Sequence, residues 1–168
     1  MDEEFPITIY HNPDCGTSRN TLAMIEAAGY APNIVEYRKA GWTRPQLDEL
    51  LSAMGAKPRE IMRDKGTPAS ELGLLKPDAT DEAILAAMLT HPILVNRPIV
   101  ATPMGTNLCR PSEAVFELLD RKPAEFTKEN GEIVRNSVAS AVKFLQLQSR
   151  QGTVDSLPKS TDLQGPLD

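Results

Sequence analysis

The segment from Ile7 to Gly29 constrains the fold more than any other stretch of the chain. Residues 7–10 alternate apolar and polar side chains, mostly β-branched or aromatic, which is typical of a short strand. The next four residues, His-Asn-Pro-Asp, favour a turn. From Gly16 the apolar residues follow helical spacing, and Gly29 suits the left-handed conformation that ends helices. The sequence therefore predicts a strand, a turn and a helix, with Cys15 at the helix N-terminus.

A cysteine in that position is a candidate nucleophile. Unpaired N–H groups and the positive end of the helix dipole favour the thiolate, and the pKa can fall from about 8.5 to about 3.5–7.5. The alternative is a cysteine buried in a turn for packing. His11, four residues before Cys15, and the strand–cysteine–helix context favour the nucleophile. His11 itself either assists the thiolate or is a hydrogen-bonded turn residue.

The rest of the chain continues the alternation of strands and helices. A second strand after the first helix gives a right-handed crossover and a parallel pair. The elements predicted from there on are strands at 33–37, 93–95, 99–102 and 106–110, and helices at 43–55, 58–63, 68–72, 80–91, from 111 and from 127. This order predicts an α/β protein with a mixed sheet, parallel in its first half and antiparallel at the hairpin. A thioredoxin-like arrangement satisfies it.

Length and composition bound the remaining possibilities. The 168 residues suit one domain, which we place at residues 1–147 with a helical insertion at about 43–91. Residues 148–168 contain few large apolar groups and are predicted to be a disordered tail. The net charge of −5 argues against nucleic acid as a partner, and no stretch approaches the ~20 apolar residues of a membrane span. Two cysteines and no export signal favour the cytoplasm.

The residues around Cys15 exclude two familiar kinds of thiol chemistry. A thioredoxin-type Cys-x-x-Cys motif would need a second cysteine at Ser18, so the reaction needs an external thiol such as glutathione. Cys109 is the only other thiol, and strand packing is its preferred role over a redox part. A phosphatase loop, Cys-x5-Arg, is also absent, because Thr21 stands six residues after Cys15. Positive charges for any bound oxyanion must therefore come from elsewhere in the chain.

Three segments together resemble the glutaredoxin-linked arsenate reductases. They are His11-Asn-Pro-Asp-Cys-Gly-Thr-Ser-Arg-Asn-Thr-Leu, His91-Pro-Ile-Leu-Val-Asn-Arg-Pro-Ile-Val and Thr102-Pro-Met-Gly-Thr-Asn-Leu-Cys-Arg-Pro-Ser-Glu. The resemblance extends over roughly residues 7–144. It implies a thioredoxin-like fold with a helical insertion, no bound cofactor, and arsenate, glutathione and glutaredoxin as partners. No spacing of Cys and His residues in the sequence predicts a metal site.

The resemblance also implies roles for particular residues. Cys15 is the nucleophile that attacks arsenate, and His11 helps its ionisation. The arginines that bind the oxyanion are Arg63, Arg97 and Arg110. Arg59 is a second candidate for the first of these arginines, because Arg59-Glu-Ile-Met-Arg63 contains both, and the Met-Arg-Asp-Lys context favours Arg63. Ser18 and a cis Pro98 facing the cysteine are supporting residues.

Arginines are suited to this task because guanidinium groups bind anion oxygens in a planar, two-pronged way. Two other functions compete with arsenate reduction. One is a redox-sensing regulator that binds RNA polymerase, but such relatives usually carry a second cysteine where this chain has Ser18. The other is a monothiol, glutathione-dependent oxidoreductase, which would not need three converging arginines.

Overall fold

A computed structural model of the protein describes residues 4–136. The predicted tail at 148–168 and most of the helix predicted from Thr127 lie outside these residues. Within the described part, no helix combines the length and the apolar character needed to cross a membrane.

The centre of the fold is a four-stranded sheet in the order β2-β1-β3-β4. Its strands are β1 (Thr8–His11), β2 (Asn33–Glu36), β3 (Ile99–Thr102) and β4 (Gly105–Leu108). β1 and β2 are parallel, whereas β1–β3 and β3–β4 are antiparallel. Helix α1 (Gly16–Ala27) connects the parallel pair. The predicted α/β, thioredoxin-like mixed sheet is confirmed.

The sheet separates two hydrophobic cores. Ile9 and its cross-strand partner Val100 face α1 and pack with Met24 and Ile25. The neighbouring pair on the other face, Tyr10 and Ile99, packs against the helices inserted between β2 and β3. Both faces of this small sheet are therefore covered, which fixes the register of β1 and β3.

The inserted helices begin and end at residues with clear local signals. They are α2 (Tyr37–Ala40), α3 (Arg44–Met54) and α4 (Asp81–Thr90), with 3-10 turns at Pro58–Ile61 and Pro92–Leu94. The predicted capping box at the start of α3 is present between Thr43 and Gln46. The helix predicted at 68–72 is wrong, because the chain there forms successive turns. Gly66 and Gly73 both have positive φ and confine the helical geometry to a single turn.

Three further predicted elements need correction. The strand predicted at 93–95 is wrong, since Pro92 opens a 3-10 helix and only Val95 bridges, to Met62. The segment predicted to start a helix at Pro111 instead forms a longer 3-10 helix, Ser112–Leu118. β2 ends at Glu36, and Tyr37 already belongs to α2.

The last described segment is a hairpin, so the helix predicted from Thr127 is wrong there. Strands β5 (Glu125–Thr127) and β6 (Ile133–Arg135) pair antiparallel. Asn130 and Gly131, the latter at φ 89°, turn the chain, and Asn-Gly is a strong hairpin signal. Phe126 and Val134 pack against the core on the α1 side of the sheet.

Candidate active site

Cys15 lies between the end of β1 and the first turn of α1. It is the residue before the helix, with extended backbone dihedrals, and its carbonyl accepts the Arg19 N–H at 2.9 Å. Its own N–H donates to the Asn12 carbonyl at 3.1 Å. The first turn of α1 contains no acidic residue that would oppose a negative charge on the sulfur. The predicted strand–cysteine–helix arrangement is therefore present.

The turn before Cys15 is fixed by an arginine from the next helix. Inside the turn, the Asp14 N–H donates to the Asn12 side-chain oxygen at 2.9 Å. Arg38 of α2 donates to that same oxygen at 3.2 Å and to the Asp14 carboxylate at 2.9 Å. Sequence reasoning missed Arg38, since no local spacing links it to residues 12–14.

His11 is buried at the end of β1 and contacts the first turn of α1. Its Nδ1 lies 2.7 Å from the Ser18 hydroxyl oxygen, which also accepts the Asn12 N–H at 3.0 Å. Burial is the main cause that lowers the pKa of His11, and the charge of Arg19 adds to it. The imidazole is therefore mainly neutral near pH 7. His11 is placed to hold Ser18 and the helix start.

Two arginines lie next to the sulfur. Arg110 Nη1 is 3.8 Å from Cys15 Sγ and donates to the Arg97 carbonyl at 2.9 Å. Arg97 is only 9% exposed, and its Nε and Nη1 are buried without a hydrogen-bond partner among the described residues. The Arg97–Pro98 peptide is cis, and the Pro98 carbonyl accepts the Cys109 N–H at 2.8 Å.

A short backbone pairing brings the third arginine to the same place. The Arg63 N–H donates to the Leu94 carbonyl at 2.7 Å, and the Asn96 N–H donates to the Ile61 carbonyl at 2.8 Å. This pairing sets Arg63 opposite Leu94, three residues before Arg97, so both arginines reach the same cavity although 34 positions separate them. Arg59, the other candidate, donates instead to backbone carbonyls of Leu74, Lys76 and Ala79.

These arginines line one cavity of about 410 Å³. Its lining residues are Met62, Arg63, Asp64, Lys65, Asn96, Arg97 and Arg110. The lining thus contains four positively charged residues and one carboxylate, so the cavity favours anions. Among the described residues, no group of three or more His, Cys, Asp and Glu side chains is arranged to hold a metal ion.

The pKa of the Cys15 thiol is lowered by its surroundings. Burial is the largest single influence and would raise the pKa, because it disfavours the charged form. The backbone N–H groups of Ser18 and Thr17 and the positive charges of Arg97 and Arg110 together outweigh burial. The site therefore stabilises a thiolate beside a cationic cavity.

An ion pair across the fold covers the helix start, and sequence reasoning missed it. Arg19 donates to the Glu129 carboxylate through Nε and Nη2 at 2.8 and 3.0 Å, and to the Pro13 carbonyl through Nη1 at 2.8 Å. The Glu129 N–H in turn donates to the Asn20 side chain at 3.0 Å. The β5–β6 hairpin is thereby fastened to the turn that carries Cys15. In the sequence, the Asn130-Gly131 dipeptide is the local signal that could have revealed this hairpin.

Together the fold and site define a thioredoxin-like protein with one activated cysteine next to an arginine-lined anion cavity. The family model described as "ArsC family" matches residues 10–118. The chain belongs to the ArsC family.

Two curated relatives and one solved structure that are similar to this chain share the name arsenate reductase. Arsenate reductase ArsI2 of Synechocystis is 58% identical over 129 residues, which are 76% of this chain and 92% of that protein. Arsenate reductase of Escherichia coli K12 is 49% identical over 138 residues, 82% of this chain and 98% of that protein. The solved structure of an arsenate reductase from Vibrio cholerae superposes with a TM-score of 0.65 at 38% identity, covering 68% of this chain and 98% of that one.

Proposed function

We propose that this protein reduces arsenate to arsenite, with the Cys15 thiolate as nucleophile. The observation that carries the proposal is Arg97, whose two buried nitrogens lack a partner beside a thiol of lowered pKa. Buried polar groups in native proteins almost always have a hydrogen-bond partner, so this guanidinium is ready for an anionic ligand. The common name of the similar proteins selects arsenate among the possible oxyanions.

Arg63, Arg97 and Arg110 are proposed to bind the oxyanion. Each charge-assisted hydrogen bond contributes about 1.5–3 kcal/mol. Since a thiolate and an oxyanion repel one another, these positive charges also make the approach of the Cys15 sulfur to arsenic possible. His11 and Ser18 would keep the helix start, and hence the sulfur, in position, and Pro98 would place Arg97.

The proposed reaction starts with attack of the Cys15 sulfur on arsenic(V), which forms an S–As bond and releases one oxygen as water. The sulfur of glutathione then replaces a second oxygen, again released as water. A glutaredoxin thiolate attacks the glutathione sulfur, and the electron pair of that S–As bond stays on arsenic, which becomes arsenic(III). Water finally cleaves the remaining S–As bond and gives arsenite and free Cys15. One arsenate and two external thiols thus yield arsenite, one mixed disulfide and one net water.

Both electrons come from external thiols in this proposal. Cys109 is fully buried, and burial raises its pKa to about 12, so it is a poor nucleophile near pH 7. We therefore propose glutathione and glutaredoxin as the reductants, with no bound cofactor. A cytoplasm that keeps glutathione reduced is the compartment that suits this chemistry.

Each of the two competing functions leaves a feature of the site unexplained. A redox sensor that binds RNA polymerase would need a partner thiol at Ser18, and Ser18 instead accepts the Asn12 N–H. A monothiol oxidoreductase acting on glutathionylated proteins gives no reason for a buried, unpartnered Arg97.

The test is arsenite release from arsenate in the presence of glutathione and glutaredoxin, with each thiol component omitted in turn. We expect release only in the complete mixture. Wild-type protein that releases no arsenite but removes glutathione from a glutathionylated protein would overturn arsenate reduction in favour of the monothiol oxidoreductase.

A further inference from the structure

The arginine-lined cavity is larger than its proposed oxyanion. An arsenate ion has five heavy atoms, and at about 30 Å³ for each, the volume share of one water molecule, it occupies at most roughly 150 Å³. The cavity measures about 410 Å³. Most of its volume therefore remains free when the three arginines hold the ion.

The cavity has an inner and an outer part. Arg97 and Arg110 form the inner part, next to Cys15. Asp64 and Lys65, both exposed, form the outer lip together with Arg63. The inner part thus presents the buried guanidinium of Arg97 and that of Arg110, which contacts Cys15, whereas the lip presents an exposed ammonium beside an exposed carboxylate.

The lip is held by its backbone, so its two charged side chains stay available. Arg63 Nε donates to the Lys65 carbonyl at 2.6 Å. The Thr67 hydroxyl lies 2.8 Å from the carbonyl oxygens of both Arg63 and Asp64. Within the described part of the chain, the side chains of Asp64 and Lys65 form no ion pair.

We propose that the Asp64–Lys65 lip binds the peptide thiol that reacts with the Cys15–arsenic adduct. This inference rests on the proposed function, in which glutathione's sulfur attaches to arsenic. Because arsenic is then bonded to Cys15 and surrounded by the arginines, the second thiol enters through the free part of this cavity. Glutathione carries carboxylates and an ammonium group. Lys65 pairs with a carboxylate of the tripeptide, and Asp64 with its ammonium.

The experiment measures initial rates with saturating glutaredoxin, varying glutathione and arsenate separately. Lys65→Gln is expected to raise KM for glutathione by about fivefold or more, since it removes a charge-assisted contact. KM for arsenate is expected to stay within about twofold, because the arginines are intact. Lys76→Gln is the matched control. Lys76 is exposed, follows the same loop, and lies outside the cavity, so its variant should change neither constant.

A second arm uses glutathione diethyl ester, which lacks both carboxylate charges. With this ester, wild type should show the same raised KM that Lys65→Gln shows with glutathione. The Lys65→Gln substitution should not raise KM for the ester any further. The assignment would be overturned if Lys65→Gln still raised KM fivefold over wild type when the ester is the thiol. It would also be overturned if the variant left KM for glutathione unchanged, or raised only KM for arsenate. Wild type that releases no arsenite would overturn the proposed function itself, and this is seen before any variant is compared.

Discussion

Cys15 and Cys109 are both buried free thiols, yet their surroundings give them opposite chemistry. Cys109 packs in the apolar core with Val115 and Phe116, and burial raises its pKa to about 12. Cys15 is 7% exposed but faces helix N–H groups and two guanidinium groups, and its pKa is lowered. Burial alone therefore does not decide whether a thiol is inert. The charges and dipoles that replace water decide it.

The sharpest test of this contrast removes each thiol in turn. Cys15→Ser should lower arsenate turnover by more than about 10³-fold, because the nucleophile is lost. Cys109→Ala should retain most of the activity, since its side chain serves packing. Arsenite release under identical thiol concentrations measures both. A folded but inactive Cys109→Ala protein would indicate an intramolecular disulfide relay instead of an external thiol.

Selective alkylation tests the same contrast without turnover. At pH 7 iodoacetamide should modify native Cys15 at least about 100-fold faster than Cys109, because only the thiolate reacts and only Cys15 has a lowered pKa. Raising the pH through the pKa of Cys15 should bring its rate to a plateau. Mass spectrometry of digests follows both sites, and urea-unfolded protein, in which both should react alike, is the control. Equal alkylation rates of Cys15 and Cys109 in the native protein would contradict the proposed difference between their pKa values.

Arginine substitutions test the cause of the lowered pKa. Replacing Arg63, Arg97 or Arg110 by Ala should lower kcat/KM for arsenate at least about tenfold, or about 1.4 kcal/mol. Arg→Lys should recover part of the loss, because it keeps the charge but loses the two-pronged contact. Loss of Arg97 or Arg110 should also move the alkylation of Cys15 to higher pH.

Arg44→Ala is the control for these variants. Arg44 is a half-exposed arginine on α3, paired with Asp48 and Glu82 outside the cavity, and its loss should leave the kinetics of arsenate reduction unchanged. Wild-type kinetics in all three cavity variants, with Cys15 still essential, would contradict an arginine-lined anion site.

The smallest expected effect concerns Glu129. Glu129→Gln should leave the Arg19 charge unneutralised near the thiolate and shift Cys15 alkylation to lower pH, changing the rate at pH 7 by no more than about threefold. Glu125→Gln on the same hairpin removes the partner of Arg135 and is the matched control. A shift to higher pH would mean that the pair supports the thiolate by packing instead of by charge.

The fold was predictable where local signals and burial agree. The alternation of residues 7–10, the helical spacing of α1 and the capping box of α3 each reappear within one or two residues. His11 was placed in a turn but ends β1, because its backbone pairs opposite Glu36 in the parallel register. Such boundaries depend on a partner strand that the local sequence does not reveal.

The hairpin at residues 125–135 was missed because the prediction followed the apolar spacing alone. Val134 fits a helical spacing with apolar residues further on, and the Asn130-Gly131 turn signal was not considered. In the site, three arginines could be named only through the family resemblance. Arg63 joins the other two through the backbone bridge between Met62 and Val95, a tertiary contact with no signature in spacing.

The Arg19–Glu129 pair has a consequence for the order in which the protein is completed during synthesis. The two residues are 110 positions apart. At about 5–20 residues per second, a ribosome needs roughly 5–22 s to proceed from one to the other. During that interval the turn bearing Cys15 can form with β1 and α1, but its outer fastening does not yet exist. The nucleophile's surroundings are thus finished only after Glu129 has been synthesised, and the nascent thiol spends those seconds without its final neighbours.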